Sequence, residues 1–375
     1  MMKNILQITI VLVLFLTIPA CNKSIAPTNG STTADGYTGA RPQNVILMIG
    51  DGMGITQITA GLYSNENKLN LELFPIVGLH KSYSSNKLIT DSAAGATAFA
   101  CGVKTYNGAI GVDKNKKPVK TLLEMAEEKE MSTGMVATST IVHATPASFI
   151  AHVESRKMYE EIAADFLKTD IDLFIGGGKK YFDQRENDDR NLYNELRDKG
   201  YLVGDYFNGP LNELKINETD KFAYFTANDQ PLPVSNGRDY LPYSSKLAVD
   251  WLDKKSDKGF FLMIEGSQID WGGHANESDY IIQEMIDFDN TIGKVLNFAR
   301  KDKNTLIVIT ADHECGGYAI NPGSEMGKIK GAFTTDYHTA ALIPVFAYGP
   351  GAELFSGVYE NTAIFEKLKL LMEMP

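Results

Sequence analysis

Short apolar runs that stop abruptly at polar or glycine residues punctuate this chain. VILMIGDG (45–52), MVATST (135–140), DLFIGGG (172–178), FFLMIEG (260–266) and TLIVITADH (305–313) read as buried strands opening into loops. Between them, VKTLLEMAEEKE (119–130), ASFIAHVESRKMYEEIAADFLK (147–168) and SDYIIQEMIDFDNTIGKVLNFARK (278–301) carry apolar residues at helical spacing. Pro146 suits an early position of the second of these helices. Strands alternating with long helices predict an α/β fold whose central, largely parallel sheet is flanked by helices. The carboxyl ends of such strands share one rim, and Asp51, Glu265, Asp312 and His313 all fall there.

The chain ends differ from this pattern. Lys3, the apolar run ILQITIVLVLFLTIPA and then Cys21 predict an export signal over 1–20, too short and too N-terminal for a mature membrane span. IPAC resembles the lipobox of bacterial lipoproteins, which implies cleavage before Cys21 and its lipidation. Residues 21–43, rich in Asn, Gly, Ser, Thr and Pro, suit a tether, so the expectation is an exported protein. It would be lipid-anchored in the cell envelope and face the periplasm, with the leaflet left open. No exact long repeat or hinge divides 44–375, which is read as one domain with a polar, turn-rich surface elaboration around 180–243.

With 36 basic and 47 acidic residues the net charge is −11, which argues against a nucleic-acid partner but not against a local site for a small anion. Once Cys21 is set aside, Cys101 and Cys315 cannot define a disulfide scaffold, and both are expected to be free or buried thiols.

EGSQIDWGGH (265–274) and TADHECGG (310–317) bring together Glu265, Asp270, His274, Asp312 and His313, oxygen and nitrogen donors suited to zinc or magnesium. Gly272 and Gly273 weaken a regular helix there, and a tight loop would converge Asp270 and His274 equally well. In ITDSAAGATAFACGVKTYNG (89–108), Asp91 and Ser92 precede a run of small residues. Ser92 reads either as a helix cap or as a hydroxyl beside an anion-binding helix start, with the small residues letting the backbone approach a substrate closely.

IGDGMG, TDSAAGATA, HATPASFIAHVESR, EGSQIDWGGH and TADH, in this order, closely resemble the motifs of the alkaline phosphatase family over most of 44–350. The resemblance implies hydrolysis of small phosphate monoesters through a phosphoserine, with Ser92 as nucleophile and Arg156 binding phosphate oxygens. It implies two zinc ions and one magnesium. Asp51, Asp312 and His313 would hold one zinc; Asp270, His274 and His338 the other; Asp51, Thr145 and Glu265 the magnesium. Asp91 would orient its neighbours rather than ligate a metal.

His143 and Trp271 depart from one familiar bacterial pattern of the family, which has aspartate and lysine there. His143 is left with three roles: third-metal ligand, water-mediated phosphate contact or support. His80 and His152 match no expected ligand and are read as structural, and Cys101 and Cys315 as packing residues. Only 25 residues separate His313 from His338, so the crown insertion common in the family is reduced or absent, and monomer and homodimer both stay open. The competing readings are a phosphodiesterase or sulfatase-like metallohydrolase, and a metal-stabilised binding lipoprotein without turnover.

Overall fold

The computed structural model describes residues 37–217 and 221–375; the predicted signal, Cys21 and most of the tether lie outside them. The described strands are β1 (Asn44–Gly50), β2 (Ile76–Lys81), β3 (Ser132–Thr140), β4 (Leu173–Gly177), β5 (Tyr201–Asp205), β6 (Lys221–Phe225) and β7 (Phe260–Gly266). They continue with β8 (Thr305–Thr310), β9 (Glu314–Cys315), β10 (Ala319–Ile320), β11 (Gly331–Ala332), β12 (His338–Thr339), β13 (Ile343–Tyr348) and β14 (Gly357–Glu360). Ten of them form one sheet in the order β14-β2-β13-β8-β1-β7-β3-β4-β6-β5. From β8 to β5 every pairing is parallel, and β13 alone runs against its neighbours.

The central strands β1, β3, β7 and β8 are buried along their whole length. Helices cover both faces, so these strands have no solvent side and read as unbroken apolar runs rather than alternating ones. On one face lie the helices Ile55–Ser64, Tyr240–Lys255 and Ser278–Asp302; on the other, Ser92–Cys101, Leu122–Glu128 and Thr362–Leu371. Ser278–Asp302 buries Ile281, Met285, Phe288, Ile292, Val295 and Ala299, the three-and-four spacing of one helical stripe. Leu122–Glu128 starts at a reciprocal cap: Thr121 Oγ1 accepts from the Glu124 N–H and Glu124 Oε2 from the Thr121 N–H.

Two expectations change. Residues 147–168 do not form one helix. Ala144–Ala147 and Tyr159–Asp165 are separate, because the intervening backbone pairs elsewhere: Val153 bridges Ile110 and the Arg156 N–H donates to the Gly108 carbonyl. Conversely, Gln268–Ala275 is helical despite its glycines. A Cβ at Gly272 would meet the Ile281 backbone at 2.8 Å and one at Gly273 the Cys315 side chain at 2.8 Å, so close packing outweighs the low helix propensity.

Residues 180–243 supply β5 and β6 to the sheet edge, together with the helix Leu192–Asp198, which buries Leu192, Tyr193 and Leu196. Between His313 and His338 the chain makes only short strands: β9 pairs with β12 and β10 with β11. Among the described residues no helix is long and apolar enough to cross a membrane.

Candidate active site

The strand ends deliver the acidic residues to one rim. Asp51 follows β1, Glu265 lies near the end of β7, and Asp312 and His313 follow β8. Gly52, at φ +72°, turns the chain so tightly that a Cβ would sit 2.7 Å from Asp270 Cα, and its N–H donates to Asp312 Oδ1. Gly95 does the same for the helix Ser92–Cys101, since a Cβ there would lie 2.9 Å from Asp312 Cβ.

Asp91, not Ser92, caps that helix: its Oδ1 accepts from the Ala94 N–H at 3.0 Å. Its other oxygen accepts from Arg156 Nη1 at 3.2 Å, so one carboxylate fixes both the helix start and the guanidinium. Ser92 is the first helical residue, with its Oγ 3.3 Å from His313 Nε2 and 3.5 Å from Asp51 Oδ1. Arg156 Nη2 lies 3.3 Å from His143 Nε2.

Three groups of donor atoms result, each gathered within 4.8 Å: Asp51, Asp312 and His313; Asp51, His143 and Glu265; and Asp270, His274, His338 and Cys315. His274 and His338 spend Nδ1–H on the Asp336 and Thr90 carbonyls, at 2.7 and 2.8 Å, which turns both Nε2 atoms inward. Thr145 lies in the short helix after His143, buried like Glu265. Trp271 packs edge-on against His143.

The electrostatics test whether cations fit. Burial, then Asp312, Asp270 and Glu265, pushes Asp51 well above the usual carboxylate range. Burial raises Glu265 to about 7, and burial followed by Asp270 raises Asp312 to about 6. Burial pulls the other way at Asp270, but the His274 hydrogen bond and the His313 and His338 charges outweigh it and lower that group. His274 rises to about 9 through its hydrogen bond to Asp270, while burial holds His313 and His338 near about 4 and His143 near about 3.

Asp51 Oδ2, Glu265 Oε1, Asp270 Oδ1, Asp312 Oδ2 and the Thr145 hydroxyl are buried without a hydrogen-bond partner. Buried acceptors in this number are costly unless positive charge satisfies them, and the O/N donor set suits divalent metals. Size alone would not find this place. A cavity of about 460 Å³ lies between Arg41, Met131 and Leu371, against about 290 Å³ here, yet it holds none of these clusters.

A sequence profile described as "Alkaline phosphatase" matches residues 42–332. The chain belongs to the alkaline phosphatase family. Alkaline phosphatase 3 of Bacillus subtilis (strain 168) is 35% identical over 409 aligned positions, covering 86% of this chain and 87% of that one. The alkaline phosphatase from the Antarctic bacterium TAB5 superposes with a TM-score of 0.83 at 41% identity, over 90% of this chain and 99% of that one. A histidine-to-aspartate variant of the TAB5 enzyme, equally similar, has magnesium bound in its M3 site. Family membership and the donor clusters together support metal-dependent phosphomonoester hydrolysis as the general chemistry.

The profile ends before His338; in this alkaline phosphatase fold the β9–β12 ribbon carries that residue into the third group, directly opposite Cys315. The packing role expected for Cys315 is thus incomplete: it is buried and free, but its thiol joins the Asp270 group, where burial and then Asp270 push its pKa up. Cys101 is buried, with Sγ on the Val119 carbonyl. His80 binds the Ala311 carbonyl, and His152 binds the Gly111 carbonyl and Glu124, so neither enters the site.

Proposed function

We propose that the chain hydrolyses phosphate monoesters to an alcohol and inorganic phosphate through a phosphoserine on Ser92. The observation that carries this reading is that the Ser92 hydroxyl meets Asp51 and His313, members of donor clusters rich in buried, unneutralised carboxylates, with an oriented guanidinium lining the same cavity. We assign Asp51, Asp312 and His313 to one zinc, Asp270, His274 and His338 to a second, and Asp51, Thr145 and Glu265 to a magnesium bordered by His143. Bound there, the cations supply positive charge to the attacking serine oxygen and to the departing ester oxygen.

The protein's own groups do the positioning. Arg156, tied to Asp91, presents a planar pair of donors to two non-bridging phosphate oxygens and sets the phosphorus over Ser92. The start of the Ser92 helix adds unpaired backbone N–H groups and a favourable potential for the anion. Ser92 Oγ bonds to phosphorus as the bond to the alcohol oxygen breaks, and the alcohol leaves protonated. Water then attacks the phosphoserine from the vacated side, the P–Oγ bond breaks, and inorganic phosphate leaves.

The test compares Zn/Mg-loaded wild type with Ser92→Ala on matched phosphate monoesters, phosphate diesters and sulfate esters at alkaline pH, with mass spectrometry of acid-quenched protein. Monoesters are the expected preferred substrates, with a phosphate adduct on the Ser92 peptide that the variant lacks. No monoester turnover by the loaded wild type would sink the reading, and preferential diester turnover would favour a phosphodiesterase. We also propose export and lipid attachment at Cys21, on the strength of the IPAC sequence; the intact mass of protein purified from membranes decides this, and an unlipidated N-terminus rules it out.

A further inference from the structure

The cavity that joins Ser92 and Arg156 to Tyr337 and His338 has a volume of about 290 Å³, roughly ten waters' share of liquid volume and more than a phosphoryl group fills. Its walls differ. Asp91, Arg156 and His143 make one side polar. On the other, three rings stack in series: His313 on His338 at 3.4 Å and 17°, then His338 on Tyr337 at 4.5 Å and 7°. The inner ring touches Ser92, the middle one belongs to the Asp270 group, and Tyr337 is outermost.

Tyr337 is held firmly yet open. Its carbonyl accepts from the Gly316 N–H at 2.9 Å and its own N–H donates to Thr335 Oγ1, while 46% of the residue stays exposed. Leu88 and Ile89 are also exposed, just before Thr90, whose carbonyl accepts from His338 Nδ1.

We propose that Tyr337 is a leaving-group platform, on which an aryl or arylmethyl alcohol portion of the substrate extends the ring stack. The inference rests on the phosphomonoesterase reading. In-line displacement sends the leaving oxygen away from Ser92, toward the Asp270 group, whose His338 ring is the one Tyr337 stacks on at the cavity wall. Offset stacking on a fixed, half-exposed ring raises kcat/KM for such esters by about 3- to 10-fold over alkyl esters of equal leaving ability.

The test measures kcat/KM for benzyl phosphate and ethyl phosphate, both primary alkyl esters, in metal-loaded wild type, Tyr337→Phe and Tyr337→Ala, along with inhibition by inorganic phosphate. Wild type and Tyr337→Phe are expected to favour the benzyl ester several-fold. Tyr337→Ala should cut the benzyl-to-ethyl ratio about 3- to 10-fold, with most of the loss on benzyl phosphate. A wild-type ratio near one, an unchanged ratio in Tyr337→Ala, or a parallel loss of both esters and of phosphate inhibition overturns the platform alone. No turnover of either ester by wild type overturns the underlying reading, and the platform with it.

Discussion

Two buried charge clusters on this fold have opposite balances. Arg238 donates from Nη1 to Asp287 Oδ2 at 2.9 Å and from Nη2 to Glu284 Oε2, and the other Glu284 oxygen accepts from the Val234 N–H. One guanidinium and a backbone donor thus answer both carboxylates within the chain. Around Ser92, Asp51, Glu265, Asp270 and Asp312 are all buried, and the nearby guanidinium is engaged by Asp91. Each of the four retains an unpartnered oxygen. A cluster whose carboxylates are paired needs no outside charge, even with Arg238 Nε left without a partner, whereas an unpaired one is stable in its ionised form only with charge from outside. The first therefore holds the helix Ser278–Asp302 in place, and the second is built to receive cations.

The sharpest way to break this contrast is Asp51→Asn. Turnover of the Zn/Mg-loaded enzyme should fall by about 10³-fold or more, because one residue serves two donor groups. Thermal unfolding in chelator should at the same time show the variant at least as stable as wild type, since the cost of holding the buried Asp51 carboxyl protonated against its neighbours is gone. A variant less stable than wild type in chelator would mean that this cluster, too, is internally balanced.

Arg238→Met should do the reverse. Removing the sole guanidinium strands two buried carboxylates, at a cost of about 3–5 kcal/mol in denaturant unfolding, while kcat/KM of the folded fraction stays within a few-fold. An equal loss of activity at full folding would couple the two clusters.

The pH dependence of the metal-free protein should be smaller. Above about pH 6.5 the unfolded chain has lost its histidine protons, whereas folded Asp51, Glu265 (about 7) and His274 (about 9) still hold theirs. The folded state binds more protons, so stability should fall on the order of 1–3 kcal/mol between about pH 6.5 and 9. Below about 6.5, His143, His313 and His338 have lowered pKa values and act with the opposite sign, offsetting the carboxylates. Thermal scans across this range with chelator should show the decline, and added Zn and Mg should flatten it.

The smallest change expected is His143→Asp. Exchanging a borderline nitrogen for a hard oxygen beside Asp51 and Glu265 should tighten magnesium, by about tenfold in metal titration. No change would place His143 outside the third site.

Legibility followed burial. The runs at 45–52, 135–140, 172–178, 260–266 and 305–313 became β1, β3, β4, β7 and β8, and 278–301 became the helix Ser278–Asp302, since elements in the core carry their pattern in their own side chains. The edge strand β5 and its neighbour β6 are buried, but their five-residue runs lie in a polar, turn-rich stretch that reads as surface elaboration, because runs that short carry little periodic signal among Pro and Gly turns. The region 147–168 misled because its apolar residues fill the core from a loop, where periodicity cannot separate helix from packed irregular chain.

By itself the sequence determined the fold class and the acidic rim, because strand-end position and residue type are local facts, and its ordered motifs pointed to the family. The tertiary structure alone decided that Ser92 faces Asp51 and His313, that Gly272 and Gly273 lie in a helix, and that Cys315 and Tyr337 border the chemistry. Each of those depends on a close approach between segments far apart in the chain, which no local pattern of polarity encodes.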